Sequence, residues 1–220
     1  MFSGNSSLRA KDVRKSFGHK SVLNGVDFSV APGELMGIIG ENGAGKTTLL
    51  RILAGELRSD HGDVMHSGKL GYCPQRIVLN KELTVEQHLR YFQQAYRARN
   101  LGIAYEMMDR LNFSSYRRTR TGELSGGTQQ KLNLTLALMH DPDVVLMDEP
   151  YQGFDWENYL NFWKIADELR SRGCSVLIIS HIAHDTNRFD RLLYLRGGVM
   201  SAAKSGPVDL PVQRLEKAVP

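Results

Sequence analysis

The chain has 220 residues, 41% hydrophobic and 24% charged, with a formal net charge of +4. That is the composition of a globular protein with one core, or a core plus a small subdomain, and it excludes a largely disordered chain. No run approaches the roughly 18 apolar residues that a membrane-spanning helix needs, and the polar start MFSGNSSLRAKD lacks the apolar stretch of a secretory signal, so the expected place is the cytoplasm.

In chain order, VDFSV at 26–30 alternates apolar and polar as a half-buried strand does, and APG at 31–33 marks a turn, which fits an antiparallel hairpin layer. LMGII at 35–39 is a short apolar run ending in a glycine-rich loop, and KTTLLRILAG at 46–55 reads as a helix closed by Gly55. Cys73 and Cys174 lie far apart at no metal-ligand spacing and are expected to be buried thiols in a reducing compartment. Residues 84–123 change character: Thr84 and Gln87 form a capping-box pattern, and Val85, Leu89, Phe92 and Tyr96 recur at helical spacing, so an inserted helical subdomain is expected. Arg90, Arg97, Arg99, Arg110, Arg117, Arg118 and Arg120 face only Glu106 and Asp109 between 89 and 120, a basic bias read as a solvated helical face because no aromatic-interleaved nucleic-acid motif accompanies it. Further on, DVVLMDEP at 143–150 and SVLIIS at 175–180 are buried strands with the helical FWKIADELRSRG between them. Strand and helix alternate, so the sheet should be mostly parallel.

Two stretches look built for anions. GENGAGKT at 40–47 has the spacing G-x-x-x-x-G-K-[ST] between an apolar strand and a helix. Its glycines let backbone N–H groups turn inward, and the helix start adds the positive end of its dipole. Lys46 would reach the β and γ phosphates, and Thr47 would ligate Mg²⁺. VVLMDEP ends in two carboxylates at a strand's C-terminal edge, placing Asp148 to hold Mg²⁺ and Glu149 to act as general base on an attacking water. LSGGTQQ at 124–130 is a second anion-suited helix start, with Ser125 at the cap.

Together these residues resemble the ATP-binding subunits of ABC transporters, of bacterial efflux type. GENGAGKTT looks like their Walker A, VVLMDEP like their Walker B and LSGGTQQ like their signature, over about residues 8 to 205. The resemblance implies an α/β P-loop NTPase fold of ABC type: a mostly parallel sheet core with an antiparallel β layer and an inserted helical subdomain. In that organisation 1–83 and 124–205 form the catalytic core with its β subdomain, 84–123 the helical subdomain and 206–220 a tail. It also implies that ATP and Mg²⁺ are bound. Gly40, Glu41, Asn42, Gly43, Ala44, Gly45, Lys46, Thr47 and Thr48 would hold the phosphates; Phe17 would stack on adenine, or else be a strand core residue. Gln75, in GYCPQ, takes the place of the Q-loop glutamine on Mg²⁺ and the attacking water, and His181 that of the switch histidine on the γ-phosphate.

In this family each ATP lies between the Walker A of one subunit and the signature of another. Ser125, Gly126 and Gly127 would therefore face a partner's ATP, with Asp155 of the D-loop at the subunit interface. The expected partners are a second copy or a related ATPase subunit, and a transmembrane permease subunit; no nucleic acid is expected. The chain would be an ATPase peripheral on the inner face of the cell membrane, powering export. The alternative is a soluble ABC ATPase of the iron-sulfur assembly or ribosome-associated type. Two departures stand out: the D-loop reads QGFD rather than SALD, and the signature helix continues KLNLTLAL where many members have an arginine and small residues.

Overall fold

The structure, a computed structural model, describes residues 6–75, 79–180 and 186–202. Its centre is a six-stranded sheet in the order β5-β6-β7-β3-β8-β9, formed by β3 (Leu35–Ile39), β5 (Leu70–Cys73), β6 (Val144–Asp148), β7 (Ser175–Ser180), β8 (Arg191–Arg196) and β9 (Val199–Ala202). The first five run parallel, and β9 turns back antiparallel on β8. β1 (Leu8–Phe17), β2 (Lys20–Val30) and β4 (His61–His66) make the antiparallel layer, ordered β2-β1-β4.

The central strands are buried on both faces, which is why they read as continuous apolar runs. Alternate residues supply two cores. Val144, Leu146, Leu177 and Ile179 pack with α1 (Lys46–Leu53) and with Val13, Leu23 and Val26 of the antiparallel layer. Val145, Met147, Val176 and Ile178 pack on the other side with α4 (Gly126–Leu138) and α5 (Trp156–Ser171).

Between residues 84 and 123 the described structure is helical: α2 (Val85–Ala95), α3 (Gly102–Arg110) and two 3-10 turns. The capping box at Thr84 and Gln87 is present, each side chain bonded to the other's backbone N–H. Val85, Leu89, Met107, Met108 and Phe113 are buried in the same core as α4. The arginines of this segment meet acids there and beyond it: Arg90 and Arg117 pair with Glu86, Arg110 with Glu106 and Glu168, and Arg120 with Glu82. The basic bias in sequence is thus partly offset in space. Both cysteines are free and buried. Among the described residues, no helix is long and apolar enough to cross a membrane.

Candidate active site

Parallel strand order brings the segments that leave the strands' C-terminal ends to one edge. β5, β6, β7 and β3 are neighbours, and the segments leaving the C-terminal ends of β5, β6 and β3 carry Gln75, Glu149 and the glycine-rich segment 40–45. Ligands bind at this edge of open α/β sheets because loops and helix starts converge there. His181 lies outside the described residues.

The glycine-rich segment leads directly into α1, whose cap is Gly45 at φ 100°, a conformation that a side chain would resist. With no side-chain cap on that helix start, its first N–H groups are left for an anion. Glu41, Asn42 and Gly43 are exposed and Ala44 partly so, whereas Gly40 is buried where the loop leaves β3. Lys46 Nζ donates to the carbonyls of Gly40 at 2.7 Å and Glu41 at 3.0 Å, so the ammonium is held over the loop itself. Burial pulls its pKa below the usual lysine range, against the carboxylates of Glu149 and Asp148, which favour the charged form. Thr47 is exposed and Thr48 half-buried.

Asp148 ends β6 at 2% exposure. Burial raises its pKa, while a hydrogen bond from the Thr47 side chain opposes the rise. Among the described residues its Oδ2 is buried without a hydrogen-bond partner. A carboxylate oxygen left orphaned beside a threonine hydroxyl is a poor structural element but a good hard-cation ligand. The donor set of Thr47, Asp148 and the Gln75 amide oxygen, all oxygen, suits Mg²⁺, which when bound would neutralise charge on the phosphate oxygens.

Glu149 has φ +49°, a left-handed conformation that costs a non-glycine residue about 1–2 kcal/mol. It is pinned on both sides: its N–H donates to Ile179 O at 3.0 Å, and its carbonyl accepts from Gln152 N at 3.1 Å. The turn aims the carboxylate across to β5's loop, where Gln75 Nε2 donates to Glu149 Oε2 at 3.1 Å. The structure thus brings Gln75, Asp148, Glu149, Thr47 and Lys46 together. Phe17, the last residue of β1, is 51% exposed with Lys15 Nζ 5.5 Å from its ring centroid, so it is a surface ring and not a strand core residue.

The helix start at Ser125 is present and faces outward. Ser125 caps α4, its Oγ accepting from Thr128 N at 3.2 Å, and Ser125 and Gly126 are exposed. Asp155 has a structural duty: it caps α5, its Oδ1 accepting from Asn158 N at 2.8 Å. Sequence reasoning missed Gln130 and Asn133. Both are buried on α4 and bond to the loops that carry Gln75 and Glu149. The available signal was weak, because α4 also carries Thr128, Gln129, Lys131 and Thr135, and nothing local set these two amides apart.

The sequence model of the family described as ABC transporter matches residues 23–152. An uncharacterized ABC transporter ATP-binding protein of Methanocaldococcus jannaschii is 35% identical over 195 residues, covering 87% of this chain and 74% of that protein. A probable multidrug ABC transporter ATP-binding protein of Escherichia coli is 34% identical over 96% of this chain, which spans only 39% of that protein's length. A zinc import ATP-binding protein of Buchnera aphidicola is 34% identical, with 79% and 74% covered. Among solved structures, an ATP-binding subunit of an ABC transporter superposes with a TM-score of 0.82 at 26% identity, over 90% of each chain.

Proposed function

Since the chain belongs to the ABC transporter family as an ATP-binding cassette, an ATPase, we propose that it closes as a dimer around two ATP molecules and powers a separate transmembrane permease subunit, in the direction of export. The observation that carries the reading is the exposed start of α4. Ser125 and Gly126 face solvent, and a Cβ on Gly126 would meet nothing within 4 Å, so a phosphate held by another subunit has room to dock there.

In this reading Lys46 and the N–H groups at the start of α1 bind the β and γ phosphates of ATP. Glu149 accepts a proton from the attacking water, which Gln75 orients, and His181 supports the γ-phosphate. Thr47, Asp148 and Gln75 hold Mg²⁺. Closure is favoured by ATP bridging two subunits, and hydrolysis removes the bridge. The chain sits on the inner face of the membrane through its permease, with no nucleic acid involved.

Export is supported by likeness to the Escherichia coli relative named for multidrug transport; the Buchnera relative named for zinc import marks the opposite direction. The test is detergent extraction of membranes from the native host carrying the tagged chain. A co-purifying protein with several apolar spans, which on reconstitution drives ATP-dependent efflux, is the expected result. An active chain recovered wholly in the soluble fraction would favour the soluble ATPase alternative.

A further inference from the structure

Asn133 sits in the middle of α4, 7% exposed, and every residue of α4 from Gln130 to Leu138 is buried. A buried amide requires partners, and this one finds them on the neighbouring strand ends. Asn133 Nδ2 donates to Pro74 O at 2.8 Å and lies 3.3 Å from Cys73 Sγ. One turn earlier, Gln130 Nε2 donates to Pro150 O at 3.3 Å and lies 3.8 Å from the same sulfur. Pro74 directly precedes Gln75, Pro150 directly follows Glu149, and Gln75 donates to Glu149 at 3.1 Å.

We propose that Asn133, seconded by Gln130, is a positioning residue for catalysis: it fixes the loops of Gln75 and Glu149 to α4, so that the water-orienting pair is set by the place of the helix whose start carries Ser125 and Gly126. The inference rests on the reading of Gln75 and Glu149 as the pair that acts on water. Asn133 lies about two turns below the exposed start of α4. A rigid helix shifts as a unit, and hydrogen bonds from two successive turns, 2.8 Å from Asn133 and 3.3 Å from Gln130, carry the shift to both loops. Neither amide touches substrate; they act through the backbone carbonyls on either side of the pair.

The test is steady-state kinetics of the full chain with MgATP, comparing Asn133→Ala, the near-isosteric Asn133→Leu, Gln75→Ala, Glu149→Gln and the double variant Asn133→Ala with Gln75→Ala. Alanine favours the helix, and leucine fills the volume without a donor. A folded variant of either kind should lose about tenfold or more in kcat with KM for ATP changed less than about twofold. In the Gln75→Ala background, Asn133→Ala should cost less than a further twofold or so, because residues acting through one another are not additive. An unchanged kcat, a full multiplicative loss in the double variant, or failure of both Asn133 variants to fold would overturn the proposal. If Glu149→Gln itself turned over normally, the reading of the catalytic pair would fall instead.

Discussion

Gly127 and Gly153 touch backbone to backbone: a Cβ on Gly127 would stand 2.4 Å from the carbonyl oxygen of Gly153. This contact locks the start of α4 against the loop that leads to Asp155 and α5. Gly127→Ala should force the two apart, at about 1–3 kcal/mol of overpacking. ATP binding to the chain's own glycine-rich loop should survive, while dimerisation and turnover fall together. Calorimetric melting beside nucleotide titration checks it.

Lys46 is a side-chain cation that the glycine-rich loop holds over itself. Lys46→Ala removes a charge-assisted donor, so the Kd for ATP should rise about tenfold or more and hydrolysis should be lost. Titration with a fluorescent ATP analogue and a phosphate-release assay measure the two effects.

Glu149→Gln keeps the side chain's shape but removes the base, so turnover should drop about a hundredfold or more and ATP should hold the dimer closed. With MgATP this variant should elute at dimer size. Adding Ser125→Arg places a bulky group at the exposed start of α4, and the double variant should bind ATP yet elute as a monomer. A double variant that dimerised as well as the single one would remove α4's start from the interface.

Asp148 has a raised pKa, chiefly because it is buried. The folded form therefore holds its proton to higher pH than the unfolded chain does, so stability declines as pH rises from the ordinary carboxylate range through the raised value. Asp148→Asn removes that loss. In Mg²⁺-free buffer at pH 7.5 the variant should melt higher, by about 2–4 °C for each kcal/mol recovered, with the gain shrinking as pH falls toward 4. The same variant should lose MgATP hydrolysis, a trade between stability and activity that functional carboxylates commonly show.

Burial pushes the Cys174 thiol up to about 12 and Cys73 in the same direction. A disulfide reagent at pH 8 should find neither thiol reactive in the folded protein, and both of the chain's cysteines after denaturation.

Much of the site was legible because its chemistry is contiguous in sequence. GENGAGKTT, VVLMDEP and LSGGTQQ each carry their own turn, cap or strand end, and an apolar run flanked by such residues is a strand or helix whose partner need not be known. The capping box at Thr84 and the helix start at Ser125 were local in the same way. β1 was not: Leu8, Ala10 and Val13 all face the core, but a register shift between Ala10 and Val13, with Asp12 at φ +46°, resets the period-two pattern on which a strand is recognised. Asn133 and Gln130 were visible only as two of several polar residues in a mixed helix. What gave them meaning was the pairing of β5 with β6 and the seating of α4 over them, which bring Pro74 and Pro150 within reach of one helix. The sequence by itself determined which groups could bind phosphate and which could act on water, because those properties belong to side chains and their immediate neighbours. Only the tertiary structure decided how these groups are joined, because the Gln75–Glu149 bond and the Gly127–Gly153 contact link residues far apart in the chain, and nothing but packing sets their distance.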